Sequence, residues 1–124
     1  MANEAAPLFR PGQSVTALTT GDVTGKTFVA PGGVDTATGL VKVATASSAA
    51  KAFGVASKDI ASGKTGTIIR GGILKVAAGG SINAGAQVEV GSNGKAVTLS
   101  SGVAVGQALE DGSNNNDVLI ALDL

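Results

Sequence analysis

Clusters of Gly, Asn, Asp and Ser interrupt this chain every few residues, and that punctuation limits its possible folds more than any other feature. Between the clusters, Val, Ile, Leu and Thr alternate with other residues. The runs are "VTALTT" (15–20), "KTFVA" (26–30), "LVKVAT" (40–45), "GTIIRG" (66–71), "ILKVAA" (73–78), "QVEV" (87–90), "AVTLS" (96–100), "VAVGQAL" (103–109) and "VLIALDL" (118–124). Successive strand side chains point to opposite faces, so short alternating runs read as half-buried strands. Strands of this length, spaced by turn residues, predict a small sandwich or barrel. One stretch is ambiguous, "SSAAKAFGVASKDIASG" (47–63), because Ala-rich runs also suit helices. Gly54 beside β-branched Val55 favours a strand at "AFGVAS", followed by a turn. No long helix and no exact repeat is visible. The expected fold is all-β, a small single-domain β-sandwich or barrel of about 8–10 short strands with an extended N-terminal arm.

The core this pattern can build is thin. Of the apolar residues 21 are Ala, leaving 14 Val, 9 Leu, 6 Ile, 3 Phe and 1 Met, with no Trp or Tyr. Each large side chain contributes about 1.5–3 kcal/mol when fully buried. Ordering the backbone costs roughly 1–2 kcal/mol per residue, and 19 glycines add to that cost. Such a balance favours an oligomer.

Several function classes lose their chemistry here. The chain has no His and no Cys, so Ser-His-Asp, Cys-His and the usual zinc ligand sets are ruled out. Nine basic and nine acidic residues cancel with no basic face, which argues against nucleic acid as a partner. No apolar run approaches the ~20 residues of a membrane helix. The start, "MANEAAPLFRPG", lacks the basic and apolar regions of a signal peptide. No glycine pattern matches a P-loop or dinucleotide fingerprint. The expectation is a soluble non-enzyme with no cofactor, no metal, no membrane partner and no small-molecule substrate.

Residues 1–14 differ from the alternating domain at 15–124. They carry two of the three Pro residues and the patch Leu8-Phe9-Arg10, closed by Pro11. A frayed end is one reading. The other is an arm that docks on a partner, since proline restricts the free arm and lowers the entropy lost on docking.

Three local patterns suggest chemistry. "EDGSNNND" (110–117) places oxygen-bearing Asp111, Ser113, Asn115 and Asp117 at alternate positions, as a calcium loop does. An EF-hand, however, needs Gly where Asn116 stands and Glu where Leu122 stands. A polar connection between strands accounts for the same residues. "GKTG" (63–66) holds half of a phosphate-loop signature and reads as a turn before "TIIR". "GGSINAGAQVEVGSNGKAV" (79–97) resembles the hairpin on which biotinyl and lipoyl carrier domains present a lysine, here Lys95. The flanking Met residues and acidic neighbours of those lysines are missing. Asn93-Gly94 is also a favoured hairpin turn without any cofactor.

A longer order of landmarks carries more weight. "FRPGQSVTALTTGDVTGKTFV" (9–29) is followed by "FGVASKDIASGKTGTIIRGGILKVAAG" (53–79), "INAGAQVEV" (82–90), "GKAV" (94–97), "VGQALEDG" (105–112) and "DVLIAL" (117–122). This succession resembles the bacteriophage capsid cement, or head decoration, proteins. The resemblance implies a compact β protein, a homotrimer, on the outer surface of an icosahedral head. It implies binding to the major capsid protein at three-fold and quasi-three-fold positions, stabilising the shell against its packaged genome. It also implies synthesis in the host cytoplasm and residence in the virion. Leu8, Phe9, Arg10 and Pro11 are then the expected capsid contact. A head protein that binds glycans, and the Lys95 carrier, remain the alternatives.

Overall fold

The computed structural model describes residues 14–124, in which turn residues divide the chain into ten strands. The first five are β1 (Ser14–Thr19), β2 (Phe28–Val34), β3 (Val41–Thr45), β4 (Gly54–Ala56) and β5 (Thr65–Ile69). The second five are β6 (Ile73–Ala77), β7 (Gln87–Val90), β8 (Ala96–Thr98), β9 (Gly106–Ala108) and β10 (Asp117–Leu122). A single 3-10 turn at Ser92–Gly94 interrupts the β structure. The fold is the all-β architecture that the alternation predicts, and the Ala-rich stretch does form a strand at Gly54–Ala56. β2 runs further than its alternation suggests, through Pro31, Gly32 and Gly33, because a bulge between Pro31 and Val34 absorbs the extra residues. Most of the arm expected at 1–14 lies outside the described residues; Ser14 already belongs to β1.

β1 to β5 close into a barrel in the order β1-β3-β2-β4-β5, with β1 and β3 parallel and the other pairs antiparallel. β6 to β10 form a second sheet ordered β6-β10-β9-β7-β8. It curls until Ala78, just past β6, meets Ala96 of β8 in a parallel bridge. The second arrangement repeats the first, strand for strand.

Register shows how close the repeat is. Ser14–Ile69 recurs as Ile73–Ala121, Val29–Gly54 as Val88–Gly106, Val29–Thr45 as Val88–Thr98 and Ala56–Ile68 as Ala108–Ile120. Outside the strands, the Val23–Ile60 bridge recurs as Ile82–Gly112. Carboxylate bonds recur too: Gly25 N–H donates to Asp59 Oδ1 and Ala84 N–H to Asp111 Oδ1, each at 2.8 Å. Positive φ returns at matching turns, Lys26 (64°) with Gly85 (88°) and Gly63 (78°) with Asn115 (66°). The chain is a tandem pair of five-stranded units whose sequences have diverged to a few identities, among them Gly54/Gly106, Ala56/Ala108, Asp59/Asp111 and Ile68/Ile120.

Each unit has its own interior. In the first, every strand contributes one residue, Ala17, Val29, Val43, Ala56 and Ile68, with Val23 and Ile60 closing an end. Their counterparts Val76, Ile82, Val88, Ala96, Ala108 and Ile120 lie in the larger core of the second unit. Phe28, Ala46, Ala52 and Val55 turn away from the first barrel and join that larger core, so the two units share apolar contact. The glycine at Gly54 has a steric cause: a Cβ there would lie 2.6 Å from Ile68 Cγ2 and 2.7 Å from Ile69 O.

Candidate functional site

Each polar pattern singled out in the sequence is tied down locally. Lys95 stands where β8 begins, and its Nζ donates to Asn115 Oδ1 at 2.9 Å. The turn beneath it is made by Asn93 and Gly94 at φ 61° and 72°, with Lys95 N–H donating to Ser92 O at 3.3 Å. This is the positive-φ hairpin turn expected of Asn-Gly. It packs inward: a Cβ on Gly94 would sit 2.7 Å from Phe28 O. Lys95 thus rests on a turn wedged between the two units and bonds to a neighbouring loop.

The oxygens of the 110–117 loop diverge. Asp111 accepts from Ala84 N–H, Ser113 Oγ from Asn116 Nδ2, Asn115 from Lys95, and Asp117 Oδ2 pairs with Lys26 Nζ at 2.6 Å. Four oxygens with four separate partners make loop and inter-unit contacts in place of a cage. No group of three or more metal-binding side chains gathers among the described residues. In "GKTG", Gly63 takes positive φ, and Thr65 and Gly66 already belong to β5.

Two acidic features were not singled out from the sequence. Asp22 and Asp59 line a shallow crevice at one end of the barrel with Thr24 and Ala61. Their carboxylates accept N–H groups from Ser62 and Gly25, which occupies them in holding the two loops together. Glu89 on β7 is 6% exposed, although it faces away from the core that takes Val88 and Val90. Its Oε1 accepts from Ser100 N–H at 2.9 Å, while Oε2 has no hydrogen-bond partner among the described residues. Gly102 and Ala49 cover that oxygen so closely that no side chain fits at position 102. The cover comes from loops far away in sequence, which is why alternation places Glu89 at the surface.

Two carboxyls are held below their ordinary range. Asp35 is lowered by hydrogen bonds from the Thr38 hydroxyl and backbone N–H, across a tight turn in the β2–β3 hairpin. Glu110 is lowered by Lys75, at 2.5 Å, and by Leu119 N–H. Both are surface ties.

What remains is surface. Pro31 to Val34 and 36–39 are solvent-exposed along the β2–β3 hairpin, with Val34 57% exposed. Ile73, Val103 and Leu109 are further exposed apolar residues. An open groove on the second sheet runs past Gln87, Ala104, Gln107 and Ala121. Leu8, Phe9, Arg10 and Pro11, the expected capsid contact, lie outside the described residues. Among the described residues, the exposed hairpin, these scattered apolar residues and the groove are the surfaces left open.

Comparison with known proteins gives a fold likeness and a family. No curated protein gives a significant sequence match. Among solved structures, the N base of the head fiber gp8.5 of bacteriophage phi29 is similar at a TM-score of 0.76 and 22% identity. The likeness covers 89% of this chain and 92% of that one, and it shows a shared fold. A sequence profile of the phage cement proteins matches residues 9–124. With that match spanning the alternating domain and reaching back to Phe9, the chain belongs to the phage cement protein family.

Proposed function

We propose that this protein is a non-enzymatic cement of a phage head, bound as a homotrimer to the outer surface at three-fold and quasi-three-fold positions. Its partner there is the major capsid protein, and its work is to hold neighbouring shell subunits against the pressure of the packaged genome. The observation that carries this reading is the family match over residues 9–124. The site supports it, because the polar side chains that suggested calcium binding or a carrier lysine are engaged in loop contacts. Nine basic residues balance nine acidic ones, which suits a shell surface away from DNA.

The N-terminal arm is the proposed clamp. Leu8, Phe9, Arg10 and Pro11 pair apolar anchors with an Arg, the residue types that dominate interfaces. The family match begins at Phe9, so most of this patch lies within it. Three arms on one trimer engage three equivalent shell sites, and linked contacts of this kind raise avidity by roughly 10²–10⁴. A protein that binds only the assembled shell stabilises it by mass action. Deleting residues 2–11 should leave the fold intact and shorten the residence time on heads. Unchanged occupancy and off-rate would remove the arm from the mechanism.

A further inference from the structure

The tandem repeat shows which surfaces of this chain are left uncovered. Within one copy, the second unit packs on a face of the first made by Phe28, Ala46, Ala52 and Val55, all buried. The β7–β8 turn seats on that face: a Cβ on Gly94 would lie 2.7 Å from Phe28 O and 3.0 Å from Thr45 Cγ2.

The repeated register identifies the same face on the second unit. Gln87 stands for Phe28, Gln107 for Val55, Ala104 for Ala52 and Leu99 for Ala46, while Thr98 stands for Thr45 beside them. All of these but half-buried Leu99 are exposed, and Gln87, Ala104 and Gln107 line the open groove. The seating element has its own counterpart. Pro31–Val43 corresponds to Val90–Ala96, so the connection at 32–42 matches the turn at 91–95 and is six residues longer. In the second unit a five-residue turn closes the hairpin, so the added length is not required by the barrel. Asp35 and Thr38 brace the longer hairpin, which projects exposed Val34. One unit therefore carries an uncovered seat and the other an uncovered hairpin, of the two kinds that meet inside the chain.

We propose that they meet between copies: the β2–β3 hairpin of one copy seats on the Gln87–Gln107 face of the next, head to tail. This deepens the trimer reading above and rests on it for closure, since head-to-tail contacts close into rings only when the rotation allows. Glutamines in place of Phe28 and Val55 keep the seat wettable in a lone copy, so the contact is weaker than its internal counterpart.

The chain has no cysteine, so Val34→Cys and Thr98→Cys each place a single thiol on an exposed position. The two proteins are mixed and treated with a short bis-maleimide, both concentrated in solution and bound to heads. Cross-links joining the two variants should exceed those within either variant, and protein carrying both substitutions should yield covalently closed trimers. Same-variant products predominating, or no cross-link in either setting, would overturn the proposal. As a second variant, replacing residues 32–42 by the sequence of 91–95 should keep the β circular dichroism and reduce both self-association and head occupancy by about tenfold or more. Unchanged association would also overturn it. The mixed cross-link forming in solution while wild-type protein ignores heads refutes the cement reading and leaves the head-to-tail contact standing. Binding to heads without the mixed cross-link does the reverse.

Discussion

Gly94 and Lys95 are neighbours with opposite expected sensitivities. Gly94 combines φ of 72° with a backbone carbonyl 2.7 Å from where its Cβ would be, so Gly94→Ala meets both a conformational penalty and a clash. A loss of about 1–3 kcal/mol is expected from denaturant unfolding. Lys95→Ala removes one exposed hydrogen bond to Asn115 and should fall within about ±0.5 kcal/mol. A Lys95→Ala protein that folds yet leaves heads undecorated would restore a special role for this lysine. Glu110 supplies a pH test. Its folded-state carboxyl is held low by Lys75 first and Leu119 N–H second. Its stabilising contribution is therefore present above the ordinary carboxylate range, about 4.3, and is lost as pH falls through the lowered folded value. Glu110→Gln should be slightly less stable than wild type at neutral pH, with the gap closing as pH falls below the ordinary carboxylate range. The gap is small because both partners are about half exposed. A gap that stays constant across this range would refute the assignment.

At the scale of elements, the ten strands were readable because turn residues and alternation are local signals. The repeat was not readable, because equivalent positions preserve burial and hydrogen bonding rather than residue type. Val43 and Ala96 occupy one site, as do Ile60 and Gly112, while a connection six residues longer shifts the spacing between halves. Burial selects an apolar residue of fitting size, and neighbours adjust to the difference. The same limit hid part of the candidate surface. Alternation points Gln87 outward correctly, whereas Glu89 is roofed by Ala49 and Gly102, contacts only the tertiary fold creates. Equivalence has an energetic consequence. Ile68 and Ile120 are both fully buried at matching positions, on strands paired to Ala56 and Ala108. Ile68→Ala and Ile120→Ala should each cost about 2–5 kcal/mol, and near-equal losses are expected in chemical denaturation. A negligible loss at either position would contradict the shared interior plan.

For the whole molecule, the two units share one apolar contact through Phe28 and Val55, so they should unfold together. Phe28→Ala should cost about 3–5 kcal/mol and is the substitution best placed to separate the transitions. Wild-type protein that melts in two well-separated steps would contradict this coupling. The proposed function concerns the shell: the chain is proposed to add strength to a phage head by contact alone. The most direct measurement is DNA release on heating, compared between decorated heads, heads lacking the protein and heads to which purified protein has been added back. Heads without it should release DNA at lower temperature, and added protein should restore the decorated value. Heads that hold their DNA equally well in all three states would contradict the account.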